Sequence, residues 1–384
     1  MRFIHFGCWN EFGYKIKSKT KNKTKSALTY TLDELKKYTK SNKTDFIIIA
    51  GDNYYKSIKD SSHDDENYKY FKSGFDGLPK SIKKYLIFGN HDINDQIKLT
   101  EPIKDKLYPN LADITTTNCK ILNLQQRYGD NSKQKYTVFN DILFHEYNST
   151  LIIMLDSNIL NLFNKMNIGC YKYLFDSFEK TNSTTMNELI LHQINSIIKL
   201  IESKKHIQNY IFVAHHPIVA SKNSKDKLIV VKNEGLVNLF TNEKIHSLIN
   251  NKNIFYLCAD VHLYQYSLVT INSLNIKQYI VGTGGAHLDN YNANETEFRN
   301  VYGIKGLNYK VLENYNNIHG FLVVDIDTID SNDIISFKFN PSVNISKIVS
   351  TQVSKTVSKT ENTYLNILQG GYNSTNVEYI DIKK

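Results

Sequence analysis

The sequence predicts an α/β fold in which two stacked β-sheets form a sandwich flanked by helices. Three observations carry that expectation. Short apolar runs rich in β-branched and aromatic residues recur along the chain at strand length. Helical stripes separate the early runs, which is the alternation of a layered α/β architecture. The later runs succeed one another with fewer helices between them, which points to two sheets rather than one parallel sheet.

Taken in order, the expected strands are Phe3–Phe6, Phe46–Ala50, Tyr85–Phe88, Leu151–Leu155, Tyr210–Ala214, Ile254–Cys258, Gln278–Val281 and Phe321–Ile326. Leu28, Leu32 and Leu35 share one helical face. Leu189, Ile190, Ile194, Ile197, Ile198 and Ile201 form a second, stronger stripe. The stretch Leu107–Asn148 is polar and irregular and reads as a surface excursion. From about Pro341 the chain becomes rich in Ser, Thr, Asn and Lys, with only scattered apolar residues. One domain is therefore expected over 1–340 and a C-terminal extension over 341–384, either a flexible tail or an appended strand pair.

A chain of 384 residues with 41% hydrophobic content can bury a substantial core. No apolar stretch reaches the length of a membrane-spanning helix. The opening MRFIHFGCWN reads as an early strand, not a signal peptide. The four cysteines are far apart and lack CxxC spacing, which suits a reducing compartment. A cytoplasmic location is the expectation, with incorporation into a larger particle left open. The net charge of +9 comes mainly from loop lysines, as in KIKSKTKNKTK at Lys15–Lys25. With no nucleic-acid motif and no aromatic–Arg interleaving beside it, this charge reads as a solvated surface.

The residues just beyond each strand are more informative. Phe3–Phe6 leads to Gly7-Cys8-Trp9-Asn10, and Phe46–Ala50 to Gly51-Asp52-Asn53-Tyr54-Tyr55. Tyr85–Phe88 leads to Gly89-Asn90-His91-Asp92, and Tyr210–Ala214 to His215-His216-Pro217. Ile254–Cys258 leads to Ala259-Asp260-Val261-His262, and Gln278–Val281 to Gly282-Thr283-Gly284-Gly285. Any one of these reads equally well as a turn. In layered α/β folds, however, the carboxyl ends of strands share one rim where sites are built. Thiol, carboxylate, amide, phenol and imidazole groups are thus expected at one place.

In this order the motifs resemble those of the calcineurin-like metallophosphoesterases, and among them the purple acid phosphatases of the tartrate-resistant type. Asp52 to Tyr55 match GDxxY, Asn90 to Asp92 match GNHD, His215 matches the histidine before a near-by proline, and Asp260 to His262 fall on GHxH. IIMLDS (Ile152–Ser157) and the late VGTGGAH are also similar, and the likeness spans roughly Met1 to Asp327. The resemblance implies a four-layer α/β/β/α sandwich and two metal ions, Fe paired with Zn, Mn or Fe. It implies a phosphomonoesterase in which a metal-bound hydroxide attacks a phosphate-ester substrate. Asp52 would bridge the metals. Tyr55 and His262 would hold the first, and Asn90 and His215 the second. His91 would protonate the leaving alcohol and Asp92 would orient that imidazole. His216 would contact phosphate or be a surface histidine.

Two positions depart from the family pattern. Cys8 stands where the family has the aspartate of its first motif, and Asp260 where GHxH has its first histidine. A Cys8 thiolate suits zinc and iron, and a buried cysteine also serves as a small hydrophobic filler. Asp260 keeps a donor but adds negative charge, which makes a bound water less acidic. These departures leave a second function open, a weak or inactive family member kept as a structural or binding component. A third, phosphodiesterase or nuclease, draws on the positive charge, and Tyr55 argues against it.

Overall fold

A computed structural model of the chain describes residues 1–11, 15–17, 24–55, 64–93, 142–160, 186–224, 227–292, 296–329 and 332–342. The first part contains β1 (Arg2–Phe6), β2 (Lys15–Lys17), β3 (Thr24–Ser26), α1 (Ala27–Ser41), β4 (Phe46–Ala50), α2 (Asp64–Asp76), β5 (Lys83–Ile87) and α3 (Asn90–Ile93). Then come β6 (Leu143–Tyr147), β7 (Thr150–Met154), α4 (Ser157–Leu160), α5 (Met186–Ser203), β8 (Asn209–Val213), β9 (Val219–Ser224) and β10 (Lys227–Lys232). The last part holds α6 (Glu234–Thr241), α7 (Glu243–Ile249), β11 (Asn253–Cys258), β12 (Tyr264–Ile271), β13 (Leu274–Val281), β14 (Glu297–Phe298), β15 (Leu307–Asn314), β16 (Gly320–Ile329) and β17 (Asn332–Pro341).

Two sheets form the body. One has five strands in the order β17–β16–β1–β4–β5, the other eight in the order β14–β15–β12–β13–β11–β8–β7–β6. In the first, β1, β4 and β5 are parallel and β16 and β17 add antiparallel at the edge. In the second, β7, β8, β11 and β13 are parallel, and β12, β15 and β14 extend the sheet antiparallel. The parallel strands are apolar on both faces because both are covered, and β4 and β8 are buried along their whole length.

Aromatic side chains join the sheets. Phe337 of β17 stacks on Tyr279 of β13 with ring centroids 4.3 Å apart, and Phe339 meets Tyr264 edge-on at 4.8 Å. Phe46 of β4 stacks on His145 of β6 at 4.5 Å. Such pairs contribute about 0.5–1.5 kcal/mol each beyond the area they bury. His5 of β1, fully buried, donates from Nε2 to the carbonyl of Cys258 at 3.1 Å, tying the two sheets near the rim. Burial lowers its pKa to about 4.

The helices cover the outer faces. Ser26 caps α1 by accepting the Thr29 N–H, and Leu28, Leu32 and Leu35 are buried beneath it. Ile190, Ile197, Ile198 and Ile201 of α5 are buried. Gln193 interrupts that apolar face because its amide exchanges two hydrogen bonds with the backbone of Asp156, just beyond β7.

The structure corrects one expectation. Leu143–Tyr147, inside the stretch read as irregular, is a strand paired antiparallel to β7. Its residues alternate between half-buried and exposed, so LFHEY lacks the continuous apolar run that marks the interior strands. The rest of that excursion, 107–141, lies outside the described residues, as does the extension beyond Ser342. Ser342 itself is still packed: its N–H donates to His319 and its hydroxyl accepts from Thr31. No helix among the described residues is long and apolar enough to cross a membrane.

Candidate metal centre

Three side chains at the common rim sit on left-handed backbone: Cys8 (φ 51°), Asp52 (φ 51°) and Asp260 (φ 58°). They stand just after β1, β4 and β11. This conformation is costly for non-glycine residues, by about 1–3 kcal/mol, and persists where the surroundings hold it. Here the surroundings are hydrogen bonds between strand ends. The Cys8 N–H donates to Gly51, Ala259 to His215 and Ala286 to Cys8, at 2.8–3.0 Å. The same closeness explains a motif glycine. A Cβ on Gly89 would lie 2.2 Å from the Asp52 backbone nitrogen and from its Oδ1.

Asp52 faces two groups of donors. Its Oδ2 accepts from the Tyr55 hydroxyl at 2.8 Å and lies 3.8 Å from Cys8 Sγ. The Tyr55 hydroxyl is also 2.6 Å from His262 Nε2. The Oδ1 atom of Asp52 lies 3.3 Å from His215 Nε2 and accepts the His91 N–H at 3.1 Å. His215 Nε2 is in turn 2.9 Å from Asn90 Oδ1 and 3.3 Å from Asp260 Oδ1. The candidate ligand atoms of Cys8, Asp52 and His262 lie within 4.8 Å of one another, and so do those of His215, His216 and Asp260. All six residues are buried.

The imidazoles are held from behind. His215 Nδ1 donates to the carbonyl of Ala50 at 2.6 Å and His262 Nδ1 to that of His287 at 2.7 Å. In the neutral form of each ring the proton therefore sits on Nδ1 and Nε2 is presented to the site, the tautomer a metal requires.

Burial would lower His215, but the carboxylates of Asp52 and Asp260 outweigh it and bring its pKa up to about 9. Burial would raise Asp52, and the neighbouring imidazoles of His215 and His91 hold it below its ordinary value. Burial and the Asp52 carboxylate push both the Cys8 thiol and the Tyr55 phenol well up. Burial carries His262 down to about 3. Four acidic groups, Cys8, Asp52, Tyr55 and Asp260, thus crowd a water-poor interior around two imidazoles. Two cations fit that donor set: they would compensate the buried carboxylates and stabilise thiolate and phenolate.

The remaining expected residues fall around this centre. His91, the second residue of α3, has an exposed side chain, its ring 4.8 Å from that of Tyr55. Asp92 is a joint between loops: its carboxylate accepts from the backbone of Asn53 and Gly89 and from the Asn53 amide. Burial raises it to about 8. His216 packs against His215, and its Nδ1 lies 2.9 Å from the Ser157 hydroxyl. Three groups beside the site carry no role in the sequence pattern alone. Ser157 closes IIMLDS and His287 closes VGTGGAH, so both lie within motifs that the family likeness marks. Glu11 accepts from the backbone and ring of His287 and has no sequence signal of its own.

The chain matches the calcineurin-like phosphoesterase family over residues 1–264, more than half its length, and belongs to that family. The family holds a dinuclear metal centre, and phosphoesters are its substrates. Similar solved structures include the purple acid phosphatase PPD1 of yellow lupin (Lupinus luteus), at 13% identity and TM-score 0.47, over 89% of this chain and 51% of the lupin chain. The chain thus spans about half the length of that relative. GAP50, the anchor in the inner membrane complex of Plasmodium, is similar at 14% identity and TM-score 0.45, over 89% and 84% of the two chains. A dimetal phosphatase from Danio rerio is similar at 11% identity and TM-score 0.39, over 89% and 96%. No curated protein matches the chain.

Proposed function

We propose that this protein is a dinuclear metal-dependent hydrolase of phosphate monoesters. The observation that carries the reading is the Asp52 carboxylate, with Oδ2 toward Cys8 and Tyr55 and Oδ1 toward His215. Cys8, Asp52, Tyr55 and His262 would hold one metal; Asp52, Asn90, His215 and Asp260 would hold the other. Bound there, the metals would supply a Lewis acid for the phosphate and acidify a water.

The chain's own groups then divide the work. Asp52 Oδ1 accepts the His91 N–H, which holds the carboxylate with one oxygen toward each group of ligands. His91 stands at the open face and is the group placed to give a proton to the departing alcohol oxygen. Asp92 holds the GDNYY loop against the GNHD loop and so sets the distance between His91 and Asp52. Cys8 distinguishes the first site from an all-oxygen and nitrogen site. Its sulfur favours Zn²⁺ or Fe²⁺ over ferric iron, which a thiolate can reduce. Its thiol also suits a reducing compartment such as the cytoplasm.

The test is hydrolysis of p-nitrophenyl phosphate and of bis(p-nitrophenyl) phosphate by the full chain reconstituted with Zn²⁺ or Fe²⁺. Faster turnover of the monoester is expected. Preference for the diester would make it a phosphodiesterase. Two bound metals without turnover of either would support a binding component, the second reading that the Cys8 and Asp260 departures favour.

A further inference from the structure

His216 is the residue after His215, and a neighbour of a ligand is not itself a ligand by position. Four observations single it out. Its candidate ligand atom lies within 4.8 Å of those of His215 and Asp260. Its ring is nearly perpendicular to that of His215, at 79° with centroids 4.9 Å apart, so the two rings can reach one point without stacking. Its Nδ1 lies 2.9 Å from Ser157 Oγ, which fixes the rotation of the ring. Its backbone is pinned on both sides: the N–H donates to Ser157 Oγ at 3.0 Å and the carbonyl accepts from Tyr256 at 2.7 Å. Pro217 restricts it further.

The pattern repeats that of His215 and His262, whose Nδ1 atoms are each held by an oxygen acceptor. Ser157 Oγ already accepts the His216 backbone N–H, and its other lone pair can accept Nδ1–H. In that tautomer the ring's lone pair is on Nε2.

We propose that His216 is a ligand of the second metal, so that this site is built from His215, His216 and Asp260 with Asn90 and the shared Asp52. The proposal rests on the dinuclear reading of the centre. It accounts for a departure in this chain. The family pattern has a histidine where Asp260 stands, and His216 returns a second nitrogen to the site from the adjacent strand end. The site stays nitrogen-rich while carrying one more negative charge.

The experiment is titration of the full metal-free chain with Co²⁺ alone, read by stoichiometry and by the sulfur-to-cobalt charge-transfer band, which reports Cys8 at the first site. Wild type should bind two equivalents. His216→Ala and His216→Asn should keep the band and one equivalent, and bind the second more than about 100-fold more weakly, since even a supporting residue costs about 10–100-fold. Ser157→Ala, which leaves the imidazole in place, should weaken only the second equivalent, by about 10–100-fold. Two equivalents at wild-type affinity in these variants would overturn the proposal and leave the hydrolase reading standing, with His216 a phosphate or packing residue. No cobalt bound by wild type would overturn both.

Discussion

Asp260 Oδ1 lies 3.3 Å from His215 Nε2, the same nitrogen that stands 3.3 Å from Asp52 Oδ1. One imidazole therefore sits between two buried carboxylates from different strand ends. In the proposed enzyme the space they share is the second metal site. Asp260→Ala should lose the second metal while the first stays bound. Asp260→His should keep both metals and raise turnover at neutral pH, because one fewer anionic ligand leaves the activated water more acidic. Metal analysis paired with initial rates decides this. Full occupancy in Asp260→Ala would remove Asp260 from the ligand set.

His91 reads as an acid and not a ligand, since its side chain is exposed while its backbone supports Asp52. His91→Ala should lower kcat by about 10²–10⁴-fold. Metal content should be unchanged. If metal and activity fall together, His91 belongs to the ligand set instead.

Cys8 sets the character of the first site. Cys8→Ala should reduce occupancy there. Cys8→Asp, which restores the family's residue, should shift preference toward ferric iron. With Tyr55 as its phenolate ligand, that iron should give a violet protein. Absorption spectra and metal ratios after growth in iron and zinc read the outcome. A Cys8→Ala protein with wild-type metal content would make Cys8 a packing residue.

Away from the centre, His5 predicts acid sensitivity. Burial lowers its pKa from the ordinary 6.5 to about 4, with the Cys258 carbonyl opposing. Between those values the unfolded chain binds a proton that the folded chain does not. Stability therefore falls as pH drops from about 6.5 to about 4, by about 3 kcal/mol for this one group. His5→Gln keeps a donor for the Cys258 carbonyl and removes the titration. Urea midpoints from pH 7 to pH 4 should fall less steeply in the variant. Parallel slopes would show that His5 is not a source of the acid lability.

The interior strands were legible because they are covered on both faces. IIIA in β4 and YIFV in β8 are unbroken apolar runs, and the polar residues after them mark the rim. Strands exposed on one face were not. In β12 and β15, buried and half-exposed or exposed residues alternate over much of their length, and β6 carries Glu146 and His145 among its apolar residues. The residue types of the centre were also readable, since each stands just past a strand. Their backbone was not, because the left-handed positions themselves hold Cys8, Asp52 and Asp260 and not glycine. Nor could spacing reveal what stands behind an imidazole. The acceptors for His215 and His262 are backbone carbonyls of Ala50 and His287, which any residue would supply.

The central claim is that Asp52 bridges two metals, and anomalous diffraction from crystals of the full chain grown with Zn²⁺ measures it directly. The expected map has two peaks about 3.5–4 Å apart. One should lie among Cys8, Asp52 Oδ2, Tyr55 and His262, and the other among Asp52 Oδ1, Asn90, His215 and Asp260. A single peak, or two peaks that do not share Asp52, would contradict the account.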